Sequence, residues 1–245
     1  MYEAIAETYV QRTERSAFNA LYEQPAVTAL LGELAGARVL DLGCAGGTYA
    51  ALAVRAGARQ VVALDASPRM VELARARLGP AVEVRQADLS EPLDVPAAGF
   101  DVIVASLVLH YLAAWDAVLG GAARALADGG ALVISVGHPM EDAHEHRPAD
   151  YFATELVWED WPSFGVRMPV YRRPLSAMFA AFAAAGLTAD AVVEPRPTPA
   201  VREVNPGLYD RLLARPAFLV FRLRHARDFV RDSVRDSARD FVRAR

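Results

Sequence analysis

The residues of this chain that could do chemistry sit in a few short loops. Asp41-Leu42-Gly43-Cys44-Ala45-Gly46-Gly47 sets three glycines close together, with a carboxylate two residues before the first. Closely spaced glycines let a backbone turn sharply and approach a ligand. A dinucleotide loop would read G-x-G-x-x-G, so that a pyrophosphate could rest on a helix N-terminus. This loop does not match, and Asp41 would repel a pyrophosphate. It suits a ligand with an ammonium group and no phosphate, which points to a zwitterionic, amino-acid-bearing nucleoside. Further acids stand at Asp65 and Asp88, and two histidines, His110 and His138, follow apolar runs. Histidine titrates near neutrality, so either could serve as a general base. His144 and His146, with Glu141, Asp142 and Glu145, match no recognised metal spacing, and no metal is expected.

Alternating strand and helix signals must position these groups. Arg38–Leu42, Gln60–Leu64, Ala81–Ala87, Phe100–Ala105 and Ala131–Val136 read as strands. The β-branched run at Phe100–Ala105 marks a strand buried on both faces. Between them, Thr48–Ala56, a segment opened by Ser67-Pro68 and carrying Val71, Ala74 and Leu78, and Trp115–Ala127 read as helices. Strands separated by helices imply a doubly wound, mostly parallel α/β sheet. Such a sheet binds ligands at the carboxyl ends of its strands, where the order reverses. Residues 137–173 have no clear period and read as a long irregular lid or binding segment. A helix from Pro174, closed by Gly186, and two last strands at Ala191–Glu194 and Phe218–Leu223 complete the pattern.

The loop Asp41–Gly47 resembles the first motif of class I S-adenosylmethionine-dependent methyltransferases, an acid-x-G-x-G-x-G turn. Ala45 stands where that family's middle glycine usually is. The resemblance implies a Rossmann-like, seven-stranded sheet with an antiparallel last pair, and S-adenosylmethionine as cofactor, leaving as S-adenosylhomocysteine. It places Asp41 and Gly43 against the methionine part, with Cys44 and Gly46 also on the cofactor. Asp65 would take the ribose hydroxyls, and Ala66 and Met70 would also meet the cofactor. Asp88 and Leu89 would take the adenine, and Ser106, ending Phe100–Ser106, would face the transfer site. Tyr2–Tyr9 is similar to the leading helix of small-molecule members, which would set Tyr9 near the sulfonium, where an aromatic face attracts cationic charge. Tyr9 could equally be a packing residue.

Methyl transfer needs alignment in a dry site, and a general base where the nucleophile is a hydroxyl or a carbon. His138 is the better candidate base because it opens the irregular segment; His110 is the second. Tyr151, Phe152, Trp158, Trp161 and Tyr171 could line a pocket for a planar acceptor, or pack a small core of the insertion itself. The expected organisation is one methyltransferase domain over residues 1–224. Residues 1–36 would be a helical cover and 138–173 a lid, followed by a charged repeat tail over 225–245, frayed or helical.

Composition narrows the rest. The chain has 245 residues, 53% of them hydrophobic, and a net charge of −4. A chain of that size can bury roughly 70–75% of its extended surface without staples. The single cysteine excludes a disulfide scaffold. No basic footprint for nucleic acid is present, and the start carries acids where a signal peptide would be basic. A cytoplasmic protein that touches neither membrane nor nucleic acid is expected. A homodimer is compatible with the sequence. All the basic residues are arginine and alanine is abundant, a composition of high-GC bacteria, where such enzymes tailor secondary metabolites. A nucleotide-dependent oxidoreductase on a similar sheet and a cofactor-binding scaffold without activity are the rivals.

Overall fold

The computed structural model of the protein describes residues 2–229. Most of the tail expected over 225–245 therefore lies outside the described residues. The chain opens with a short 3-10 turn at Tyr2–Ala4 and helix α1 (Ala6–Thr13). A π-helical turn at Asn19–Glu23 then runs into α2 (Gln24–Leu31). The alternating core follows: β1 (Arg38–Leu42), α3 (Thr48–Arg55), β2 (Gln60–Asp65), α4 (Pro68–Leu78), β3 (Glu83–Gln86), β4 (Phe100–Ser106), α5 (Asp116–Ala125) and β5 (Leu126–Gly137). After α6 (Pro139–His146) and a hairpin of β6 (Glu155–Trp161) and β7 (Val166–Arg172), the chain returns to the sheet. It does so through α7 (Leu175–Ala184), β8 (Leu187–Val193), α8 (Pro199–Val204), α9 (Pro206–Ala214) and β9 (Phe218–His225).

The seven strands lie in the order β3-β2-β1-β4-β5-β9-β8. Neighbours are parallel from β3 to β5, and β9 runs antiparallel to both β5 and β8. This is the expected doubly wound sheet, and its order reverses between β1 and β4. The register follows from alternation: Leu40 and Leu42 point to the face covered by α5 and α7, Val39 to the face covered by α2, α3 and α4. β8 begins at Leu187, directly after Gly186 at φ +72°, earlier than the sequence signal at Ala191.

Residues 137–173 depart from the expectation of an irregular segment. They hold a helix and a two-stranded antiparallel hairpin. On β6 the partly buried positions are Val157, Glu159 and Trp161, with Leu156 and Trp158 exposed. The inward face carries a charge because it meets a cavity rather than the core, which hides the period from the sequence. α1 is tied down by its acids: Glu7 pairs with Arg69 of α4, and Glu3 accepts from the Ser67 hydroxyl. Among the described residues no helix is long and apolar enough to cross a membrane.

Candidate active site

The glycine loop sits at the carboxyl end of β1, beside the reversal point. Gly43 has φ +72°, and a Cβ there would lie 2.4 Å from Val108 Cγ2, so only glycine fits. The N–H groups of Gly43 and Cys44 both donate to the Leu64 carbonyl, at 2.8 and 2.9 Å. Ala45 adopts φ +46°, the left-handed region that glycine would enter freely. Its N–H donates to Asp65 Oδ2 at 2.8 Å, while Asp65 Oδ1 accepts from Ser67 N–H at 2.9 Å. Asp65 therefore clasps the glycine loop to the turn that starts α4, where the Ser67 hydroxyl accepts from Met70 N–H.

This loop is one wall of a cavity of about 500 Å³. Of the expected cofactor residues, Tyr9, Gly43, Cys44, Asp65, Ala66, Met70, Asp88, Leu89 and Ser106 line it. Asp41 and Gly46 do not. Asp41 is 1% exposed beneath the loop and accepts from Ala50 N–H of α3 at 3.0 Å. Burial, with a smaller contribution from Asp65, pushes its carboxyl up to about 7, against the pull of the Ala50 N–H. Gly46 serves α1 instead: a Cβ there would lie 2.6 Å from Val10 Cγ1, so its bareness lets the covering helix seat. Burial raises the Cys44 thiol, which makes it a poor nucleophile. Asp88 is held below the usual carboxylate range by the hydroxyl and N–H of Ser90.

Glu23 is a site residue that sequence reasoning missed. The π turn, closed by Glu23 N–H to Phe18 carbonyl, turns its side chain inward. It is 2% exposed and lines the cavity. Its carboxylate accepts from Tyr49 Oη at 2.7 Å, from Ser106 Oγ at 2.8 Å, and from Ser135 Oγ. Burial raises its pKa, opposed by these hydroxyls. Among the described residues, five carboxylates, Glu3, Glu14, Glu23, Asp65 and Asp88, line the cavity, and no Arg or His does. The site is built for positive charge.

A second cavity, of about 730 Å³, shares Tyr9, Thr13, Asn19, Leu107 and Tyr111 with the first. The hairpin closes over it: Trp161 stacks on Tyr9 with ring centroids 6.1 Å apart, and Phe164 lies 5.8 Å from Tyr9. Trp161 and Tyr171 line this cavity, whereas Tyr151 and Trp158 line neither. Trp158 is 47% exposed beneath the Arg167 guanidinium, because it lies on the outer face of β6. Tyr151 is engaged with α7, its Oη accepting from Leu175 N–H.

The two histidines part company. His110 lines the second cavity, and burial lowers it to about 4, so it is neutral at working pH. Its Nδ1 is buried without a hydrogen-bond partner among the described residues. His138, expected as the better base, does not reach either cavity. Its Nδ1 accepts from Met140 N–H at 3.1 Å as the N-cap of α6, and its Nε2 meets Glu194 Oε1 at 3.0 Å. Both ring nitrogens are committed to structure.

With this geometry in place, the relatives of the chain can be compared. Residues 39–130, the stretch holding the glycine loop, Asp65 and Asp88, match the methyltransferase domain family. The solved structure of an S-adenosylmethionine-dependent methyltransferase from Mesorhizobium loti is 28% identical, with a TM-score of 0.68 over 87% of this chain and 100% of that one. A trans-aconitate 2-methyltransferase of Paracidovorax citrulli is 32% identical over 51% of this chain and 48% of its own length. A ubiquinone biosynthesis O-methyltransferase of Xanthomonas euvesicatoria pv. vesicatoria is 35% identical over 42% and 44%. The chain spans about half the length of the curated relatives it matches. Both findings agree with the resemblance seen at Asp41–Gly47: residues 39–130 match a methyltransferase domain, and the fold is that of a solved S-adenosylmethionine-dependent methyltransferase.

Proposed function

We propose that the protein transfers a methyl group from S-adenosylmethionine to a small organic acceptor. The observation that carries this is the pair of adjoining cavities, one lined with carboxylates and, among the described residues, with no Arg or His, the other rich in aromatic rings. The carboxylates lining the first cavity would repel a pyrophosphate, which argues against the oxidoreductase reading. A sulfonium beside an ammonium suits it.

The sulfonium supplies an activated methyl group with a neutral thioether as leaving group. The chain's own residues would do the rest. Asp65 has lone pairs left to accept ribose hydroxyls beside its two backbone N–H bonds, and Asp88 with Leu89 would take the adenine. Glu23 would supply counter-charge held ready by three hydroxyls, a preorganised electrostatic contribution. Tyr9, Leu107 and Tyr111 stand at the junction, where acceptor and methyl must align with water excluded. His110, neutral and facing the acceptor side, takes over from His138 as the candidate base.

In this reading residues 1–224 work as one methyltransferase unit, with 1–36 covering the cofactor and 138–173 covering the acceptor. A small acceptor is supported by the partly enclosed, aromatic-rich cavity of about 730 Å³ and by relatives named for small molecules. A role in bacterial secondary metabolism is in keeping with the arginine- and alanine-rich composition. Calorimetric titration with S-adenosylhomocysteine, beside NADH, tests the proposal. Micromolar binding of the first alone is expected, and binding of NADH instead would overturn it.

A further inference from the structure

The second cavity has a chemistry of its own, whose meaning rests on the methyl-transfer reading above. Its walls are aromatic, with Tyr9, Phe18, Trp161, Phe164 and Phe218 around it. Set among them are three carboxylates, Asp142 from α6 and Glu159 and Asp160 from β6. The Asp142 side chain has no hydrogen-bond partner among the described residues. Glu159 accepts from the Trp161 indole N–H at 3.1 Å. Neither forms an ion pair among the described residues. The cavity's two arginines are engaged on its own walls rather than with these two acids: Arg12 donates to the Ser163 carbonyl and lies over Phe164, and Arg211 reaches Glu141 at 3.6 Å and lies over Phe18. Asp160, at the rim, pairs with Arg167 at 2.9 Å.

An unpaired carboxylate drawn out of water is costly until it takes a proton or meets a cation. The groups acting on Asp142 are mostly like charges: Glu141 and Glu145 on its own helix and Glu159 on the hairpin, against Arg172 of β7. Burial first, and these acids next, push its carboxyl up to about 7. His146 acts on Glu159, whose carboxyl burial also raises. Aromatic faces attract the same kind of ligand, since ring quadrupoles favour organic cations. A polycarboxylate acceptor would be repelled. A metal ion is the poorer occupant, since among the described residues no group of three or more His, Cys, Asp or Glu side chains is placed to hold one.

We propose that this cavity binds the acceptor as an organic ammonium ion, with Asp142 and Glu159 holding the ammonium and Tyr9, Trp161 and Phe164 holding an apolar, planar body. The test is calorimetric titration of protein saturated with S-adenosylhomocysteine, using tryptamine, tryptophol and indole-3-propionate. These share one ring and differ in carrying an ammonium, a hydroxyl or a carboxylate. Tryptamine should bind about tenfold more tightly than the other two, roughly one hydrogen-bonded or ring-held charge. Asp142→Asn and Glu159→Gln should each remove most of that margin and leave S-adenosylhomocysteine affinity unchanged. Tryptamine binding no better than tryptophol, with S-adenosylhomocysteine still bound, would overturn the acceptor class and leave methyl transfer standing. A margin that survives both substitutions would overturn the site. Failure of S-adenosylhomocysteine to bind would overturn this proposal together with the reading beneath it.

Discussion

Replacing Asp65 with asparagine separates two jobs that one carboxylate performs. Its oxygens hold the Ala45 and Ser67 N–H groups at 2.8 and 2.9 Å, and their remaining lone pairs face the cofactor cavity. In Asp65→Asn one oxygen becomes an NH2 group, which must turn toward one of those N–H donors. Leaving a buried donor unpaired costs about 1–3 kcal/mol, so the variant should melt earlier. Ala45, already at φ +46°, then loses part of what holds it. For the ligand, one charge-assisted ribose bond is lost, about 1.5–3 kcal/mol, or roughly tenfold to 150-fold in affinity. Calorimetry with S-adenosylhomocysteine reads the second effect, and its 2′-deoxy analogue isolates it. Removing the hydroxyl should weaken binding to the parent markedly and to Asp65→Asn hardly at all. If the deoxy analogue loses equally on both proteins, Asp65 only braces the loop and the ribose assignment is wrong.

Other substitutions test neighbouring parts of the account. Ala45→Gly should leave stability unchanged or raise it by up to about 1 kcal/mol, since relief of left-handed strain outweighs the added freedom of the unfolded chain; a clear fall in melting temperature would refute the strain. Gly46→Val should weaken S-adenosylhomocysteine binding by pushing Val10 and α1 off the cavity, although Gly46 does not line it; unchanged affinity would show that the cover does not matter. His138→Ala should cost about 0.5–2 kcal/mol as a lost helix cap while sparing cofactor affinity, measured by denaturant titration and calorimetry side by side. Between about pH 4 and 7 the folded chain keeps a proton on Asp142 that the unfolded chain releases, so stability falls as pH rises through that window. Asp142→Asn removes that share, and its stability relative to the parent should rise between about pH 4 and 7. A flat difference would mean that Asp142 is not desolvated.

The parts of this molecule that follow from local pattern were legible in the sequence. The parallel core showed itself as apolar runs cut by helix caps; Asp65 ends β2, and Asp88 follows β3. His138 misled for a reason that can be named. Like Ser67-Pro68, which reads at once as a cap and first-turn proline, His138-Pro139 opens a helix, and the imidazole merely does the work of the serine hydroxyl. Glu23 was hidden differently. A glutamate before Gln24-Pro25 looks like solvated helix, and only the five-residue π turn and the tertiary placement of Ser106 and Ser135 draw it inside. The hairpin was missed because Glu159, an inward position, carries a charge that serves a cavity, so the apolar alternation that announces a strand is broken.

The central claim is that two adjoining cavities bring a sulfonium methyl group to an acceptor at Tyr9, Leu107 and Tyr111. A crystal structure of the protein with S-adenosylhomocysteine tests it most directly. The account predicts adenine beside Asp88 and Leu89, ribose hydroxyls on Asp65, and the thioether sulfur facing the aromatic cavity. A ligand whose sulfur turns away from that cavity, or one bound outside the carboxylate-lined cleft, would contradict it.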